Sequence, residues 1–249
     1  MTWIITSDQV NPPGDAAITY DITNAGGVFN LRSIGTVDYE VEWGDGAVEI
    51  STVNTLPHTY TAGDYSVVVY SDSVYRPFFN NVTADVSQIT SVVIGPGANL
   101  GTSLDSAWET ASNLATFTCP FDATSSVTNF TDSWRRCGSL TSFPLIDTSS
   151  GTGFSHAWFY CNSLTDFPAN MFDTTGTLVA TAFQNAWFNC ALTAQSIENI
   201  LVSLDTNGAT GITLGINGGT NAAKTTWSAA AVTAYDNLIV KGWTISFNA

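Results

Sequence analysis

Positive charge is scarce in this sequence. Of 249 residues only 6 are Lys or Arg, against 21 Asp or Glu, for a formal charge of −15. So few cations cannot neutralise a phosphate backbone, which sets nucleic-acid binding aside. An anionic membrane surface would repel the chain as well. Charged residues of either sign make up 11%, where an ordinary globular protein carries roughly 25%. Histidine occurs only twice, so imidazole-based catalysis and metal binding have little material. No run approaches the ~20 apolar residues of a membrane span. The N-terminal stretch MTWIITSDQVNPPGD has neither a basic start nor an apolar segment of signal-peptide length, so no secretory leader is expected.

Apolar and aromatic residues are plentiful, at 44% and 12%. The chain is therefore no disordered tail, and its length suits one large domain or two ordinary ones. The first half reads as β. Val41 and Trp43 alternate up to Gly44-Asp45-Gly46, Val48 and Ile50 alternate after it, and Tyr65, Val67 and Val69 form a further run. An Asp-Gly pair between alternating runs predicts a hairpin. No long helix is expected before residue 100.

Three segments occur in order here: Tyr39-Glu-Val-Glu-Trp-Gly-Asp-Gly, then Pro57-His58-Thr59-Tyr60, then Gly63-Asp64-Tyr65 with a Val-rich strand. Together they resemble the PKD domain. The resemblance covers residues 1–80 and implies an immunoglobulin-like β-sandwich, usually a spacer or contact module on extracellular proteins. Short alternating strands with frequent turns suit that fold.

The second half repeats. Tryptophan stands at 108, 134, 158 and 187, and four residues earlier come Leu104, Phe130, Phe154 and Phe183. Three residues later come Cys137, Cys161 and Cys190, with Ala111 in the first copy. Leu114, Leu140, Leu164 and Leu192 follow, then Phe117, Phe143 and Phe167, with Pro120, Pro144 and Pro168 behind them. Positions 0, 4 and 7 share one face of a helix, so each copy predicts a short helix and then an extended, proline-stopped segment. One unit cannot bury its apolar face alone, but a stack can. Phe130, Trp134, Cys137 and their equivalents Trp108, Phe154, Trp158, Cys161, Phe183, Trp187 and Cys190 are the expected core. The wording of these copies is similar to BspA-type leucine-rich repeats of bacterial surface proteins, which recur in marine bacteriophages. That resemblance implies an α/β solenoid over 81–249, with Ile89–Ile94 as its first strand and a C-terminal cap from about 191 to 249. In the cap, Thr193 and Ser228 are N-cap candidates for two helices. Gly211–Ile216 and Trp243–Phe247 read as strands.

Little points to chemistry. His58 lies in the His-Thr-Tyr block and is expected to be structural. His156 has no counterpart in other copies, and neither sits by a Gly-x-Ser-x-Gly elbow. No spacing suits zinc. Asp45, Asp64 and Asp72 could supply oxygens to calcium, but turn aspartates ordinarily bond their own backbone. No carboxylate pair is singled out for glycoside hydrolysis. No catalytic residue, cofactor or metal is therefore expected. The in-register cysteines read as small buried hydrophobes with free thiols, as in a reducing cytoplasm; Cys119 is out of register. Asn81-Val-Thr83 and Asn129-Phe-Thr131 match the glycosylation pattern by chance in a bacterial or phage-like chain.

The slots just after each tryptophan vary while the core slots do not. They hold Glu109 and Thr110, Arg135 and Arg136, Phe159 and Tyr160, and Phe188 and Asn189. Arg135, Arg136, Phe159, Tyr160 and Phe188 are the expected contact surface. The function expected is non-enzymatic: a phage virion surface protein, as capsid decoration or tail-fibre component, made in the host cytoplasm. Its partners would be other virion proteins or a host cell-surface glycan or protein, without nucleic acid or membrane insertion. Self-association is compatible with this reading. A bacterial surface or secreted adhesin that binds carbohydrate is the alternative, and an accessory part of a polysaccharide-degrading enzyme is the weaker one. Truncation after residue 190 is expected to give insoluble protein through loss of the cap. A soluble truncate that unfolds cooperatively would count against the stack.

Overall fold

The computed structural model describes residues 17–35, 38–80 and 83–249. The N-terminal stretch read above and Asn81 of the Asn81-Val-Thr83 pattern lie outside the described residues. The protein is mostly β, with a mixed seven-stranded sheet and few helices.

The N-terminal strands are β1 (Ala17–Ile34), β2 (Tyr39–Glu42), β3 (Val48–Ser51), β4 (Thr55–Tyr70) and the short β5 (Arg76–Pro77). A single helical turn, α1 (Thr83–Val86), leads to β6 (Ile89–Ile94), and β7 (Thr116–Thr118) follows. Strands run in the order β3-β2-β4-β1-β6-β7, with β5 also on β1. The Gly44-Asp45-Gly46 segment joins β2 to β3 as an antiparallel hairpin, Tyr39 opposite Ser51. Gly44 has φ +81°, and a Cβ there would stand 2.7 Å from the Ser66 carbonyl, so only glycine fits. The β1/β4 ribbon turns its inner face over along its length. Ile18, Tyr20 and Ile22 are buried before Gly26-Gly27, Phe29 and Leu31 after it. Both glycines have positive φ, which lets the strand change face there.

Strand β6 pairs antiparallel with β1 and parallel with β7, placing Val92 between Tyr20 and Phe117. The sheet thus crosses residue 80, where the sequence reading set a domain boundary. One apolar cluster runs from Ile18 to Trp243.

The repeat segments correct one expectation: they are not helices. Each is a run of tight turns with left-handed residues two before and two after the tryptophan, Ser106 and Thr110, Asp132 and Arg136, His156 and Tyr160, Asn185 and Asn189. The reason lies in the backbone donors. Alternate N–H groups close local turns, as in Ala111 N–H to the Trp108 carbonyl and Cys137 N–H to that of Trp134. The intervening N–H groups leave the coil. Trp108 donates to Ser133, Trp134 to Ala157, Trp158 to Ala186 and Trp187 to Gly215. An α-helix would keep every interior N–H to itself; the reversals free half of them to knit the next coil. The apolar spacing is inward-facing in both geometries, so it could not separate them. The extended segment is a strand only in the first copy, as β7; later copies keep single bridges such as Ser142 to Asp166.

Side chains then stack in columns. The indole rings of Trp108, Trp134, Trp158 and Trp187 follow one another at 5.7, 5.6 and 4.9 Å. Phe130, Phe154 and Phe183 stack at 4.9 and 5.1 Å, and Phe117, Phe143 and Phe167 at 5.5 and 5.7 Å. All four tryptophans are 0% exposed. A ring buries some 150–250 Å², which at ~25 cal/mol/Å² is about 4–6 kcal/mol before entropy is counted. Ala107, Ser133, Ala157 and Ala186, just before each tryptophan, are fully buried too, a small-residue slot that lets coils approach.

The four cysteines carry free thiols. Those in register also do more than fill space. The thiol of Cys137 donates to the Trp108 carbonyl at 3.4 Å, Cys161 to Trp134 and Cys190 to Trp158, both at 3.1 Å. Burial pushes the Cys190 thiol up to about 12 and raises Cys137 and Cys161 as well, so the donor proton stays on sulfur. Ala111 stands where no earlier tryptophan coil needs a donor.

The cap comprises α2 (Ala194–Asn207), β8 (Thr213–Ile216), α3 (Ala229–Val240) and β9 (Thr244–Phe247). Thr193 and Ser228 accept from Ser196 N–H and Ala231 N–H as N-caps. Strands β8 and β9 are parallel. Within α3, Leu238 is buried and Ile239 is exposed at 43%. Asn221 takes over the cysteine role at the last coil. Its amide donates to the carbonyls of Trp187 at 2.9 Å and Ile216 at 3.0 Å, and its oxygen accepts from Leu192 N–H. Asn221→Ala leaves three buried backbone groups unpaired and is expected to cost about 3 kcal/mol. Denaturant unfolding checks this; a loss under about 0.5 kcal/mol would contradict it.

Candidate functional site

The left-handed turns set out a ridge. Residues two before, one after and two after each tryptophan stand in three columns beside the buried indoles. The column one after reads Glu109, Arg135, Phe159, Phe188. Adjacent members are complementary at every step: Arg135 Nη1 lies 2.9 Å from Glu109 Oε1, its guanidinium lies 5.4 Å from the Phe159 ring centre, and Phe159 stacks on Phe188 at 5.3 Å. Asp132 adds a second carboxylate 3.5 Å from Arg135 Nε. The ridge thus passes from acidic to cationic to aromatic along the stack.

These contacts sort the expected surface residues. Glu109 and Thr110 are buried, not open, because Arg135 draws the carboxylate beneath it. Arg135, Phe159 and Phe188 are half-buried and cover one another. Tyr160 is 38% exposed, with its ring 4.6 Å from Phe159 and 5.7 Å from Phe188. Arg136 is exposed, and its N–H donates to the Phe159 carbonyl. Of the six Lys and Arg side chains, Arg136 alone has no ion-pair or ring partner among the described residues.

The column two before reads Ser106, Asp132, His156, Asn185. Sequence reasoning passed over it, since nothing repeats there except the reversed backbone. His156 Nε2 lies 3.4 Å from the Asn185 amide nitrogen and Nδ1 2.9 Å from Ser155 Oγ, and the ring meets Phe159 edge-on. That network suits a neutral ring protonated at Nδ1. Burial, helped by the Arg135 charge, holds the His156 pKa below 6.5. Burial raises the carboxyls of Asp105, Glu109 and Asp132 above their usual range, with Arg76 or Arg135 opposing.

His58 belongs to a separate cluster. Its ring stacks on Trp43 at 4.6 Å, and Nε2 reaches Asp45 Oδ2 at 2.8 Å. Tyr60 donates to the Trp43 carbonyl, and Trp43 to Glu49. The Trp-Gly-Asp-Gly and His-Thr-Tyr blocks therefore clasp one another. Asp45 also accepts from Ala47 N–H, and Asp64 accepts from Thr23. Among the described residues no three His, Cys, Asp or Glu are grouped to hold a metal. No family model, curated protein or solved structure matches this chain.

The His156 shift has a definite sign. A base whose pKa is depressed by folding takes up its proton more readily when unfolded. Its contribution is full above 6.5 and is lost as pH falls through the folded value. His156→Asn keeps a residue that tolerates the left-handed backbone and removes the titration. The stability of the native chain relative to this variant is expected to fall as the pH drops below 6.5, read by chemical unfolding. A difference independent of pH would refute the assignment.

Proposed function

We propose that this chain is a non-enzymatic outer protein of a bacteriophage particle, as capsid decoration or part of a tail fibre. The finer architecture we propose is a PKD-like β-sandwich over 1–80 and a BspA-like solenoid over 81–249, closed by a cap from about 191. One observation carries the reading. The constant slots of every coil are spent on packing, whereas the variable slots bring Arg136 and Tyr160 to the surface beside the half-buried Arg135, Phe159 and Phe188. Such a layout serves contact: a stiff stack holds interchangeable side chains in fixed rows. Buried reduced thiols suit synthesis in a reducing host cytoplasm. Among the described residues no helix is long and apolar enough to cross a membrane. In this reading the N-terminal sheet anchors or spaces, and the stack presents the outer surface.

A bacterial surface adhesin is the second reading, favoured by the half-exposed Tyr160 ring. Mass spectrometry of purified particles is expected to find the chain, with capsid or tail genes as its genomic neighbours. Particles that lack it, with the chain recovered from a bacterial envelope fraction, would overturn the virion assignment and favour the adhesin.

A further inference from the structure

We infer that the surface formed by Arg136, Tyr160, Phe188 and Asn189 binds an acidic saccharide, its carboxylate on Arg136 and its sugar ring on the Tyr160 face. The inference deepens the contact reading above and rests on it, naming the class of ligand.

The cation is the first argument. In a chain of charge −15 every other cation is committed. Arg32 pairs with Asp85, Arg76 with Asp105, Arg135 with Glu109 and Lys241 with Asp205, and Lys224 lies over the Tyr235 ring at 3.6 Å. Arg136 alone keeps its planar fork for a carboxylate from outside. It adjoins the exposed aromatic patch, bonded through its N–H to Phe159. The remaining negative charge does not forbid an anionic ligand, because at physiological salt its field is screened beyond ~8 Å.

Backbone strain is the second argument. Arg136 has φ 63° and Tyr160 φ 61°, in the left-handed region, where Asn or Gly is at ease. The equivalent slot in the fourth copy is Asn189, at φ 63°. Two large side chains thus occupy positions where the local conformation favours a small one, and neither fills the core. The Tyr160 ring recovers part of that cost against Phe159 and Phe188, whereas the exposed Arg136 side chain has no ion-pair or ring partner among the described residues to recover it. The third argument is the amide beside the rings: Asn189 and Asn162 face each other at 3.3 Å on the surface, donors and acceptors fit for sugar hydroxyls. Apolar ring face, planar cation and amide together match an acidic sugar better than an apolar groove would match a helix.

The test uses the whole chain and oligogalacturonate and oligosialate as probes, with neutral oligogalactan for comparison. Calorimetric titration is expected to show binding of at least one acidic probe, at least tenfold tighter than the neutral one. Arg136→Asn and Tyr160→Asn are each expected to weaken it tenfold or more. Because asparagine suits that backbone, neither is expected to lower the thermal midpoint. Lys224→Gln, a cation on the cap, is expected to leave binding unchanged. No binding of either acidic probe, equal binding of the neutral one, or full binding by either variant would overturn the inference. An oligoglutamate peptide that binds as tightly as the sugar would also overturn it, and would point to an acidic protein partner. A chain absent from particles that still binds acidic saccharide removes the virion reading and keeps this one; a particle-borne chain that binds neither probe does the reverse.

Discussion

The carbonyl of each repeat tryptophan is what holds successive coils in register. In Trp108, Trp134 and Trp158 it accepts an N–H three residues on and a thiol from the following coil; that of Trp187 accepts the Asn221 amide. Its own N–H is spent in the opposite manner, on a carbonyl of the following coil. A slip by one residue would leave all of these groups unpaired in a dry interior, at roughly 1–3 kcal/mol each. That penalty is larger than any preference of one aromatic ring for another, which is worth about 0.5–1.5 kcal/mol. The ring columns therefore supply burial, and the backbone pairing supplies the register.

The indoles themselves carry an unmet cost. The Nε1 donors of Trp108, Trp134, Trp158 and Trp187 are buried without a hydrogen-bond partner. Trp134 stands T-shaped between Phe117 and Phe143, and Trp158 between Phe143 and Phe167. Contact with a ring face returns part of a donor's lost hydration, though only a small part. The slot accepts the cost because the ring fills a space that a smaller side chain would leave open, and an empty space of that size costs several kcal/mol. This supports volume, not hydrogen bonding, as the reason tryptophan occupies the slot. Tyr20 and Tyr75 are buried alongside the first coil, where the Tyr20 hydroxyl neighbours those of Tyr75 and the Trp108 indole.

Some of this was legible in the residues. The Gly44-Asp45-Gly46 hairpin, the two N-caps and the cap strands follow from local chemistry, which acts over a few residues and is written there. The repeat follows from periodicity. Its local conformation does not, because positions 0, 4 and 7 point inward on a helix and equally on a coil of reversed turns. Asp132, His156, Asn185 and Asn189 hint at left-handed backbone; Arg136 and Tyr160 at the slot of Asn189 argue against it. The thiol donors were illegible for a different reason. A cysteine beside a distant carbonyl is a tertiary fact, and the residue alone reads as a small hydrophobe. Asn221 was hidden in the same way, since its partners Trp187, Ile216 and Leu192 are assembled only once the last coil closes. The burial of Glu109 was illegible as well, because its salt bridge comes from Arg135, 26 positions away.

The ridge and the stack are separable in a way that matters for function. Residues in left-handed slots contribute their backbone to the ladder whatever side chain they carry, and this is why Thr, Arg, Tyr and Asn can share one column. The conformational cost, of order 1–2 kcal/mol for each non-glycine, is met by inter-coil hydrogen bonds made through main-chain atoms. A substitution there alters the surface without touching the register, whereas one at a tryptophan, cysteine or small slot alters the register itself. A fold divided in this manner lets its outer face change freely over a constant interior. The single continuous sheet through β6 joins that stack to the N-terminal strands by backbone hydrogen bonds on both edges of β6.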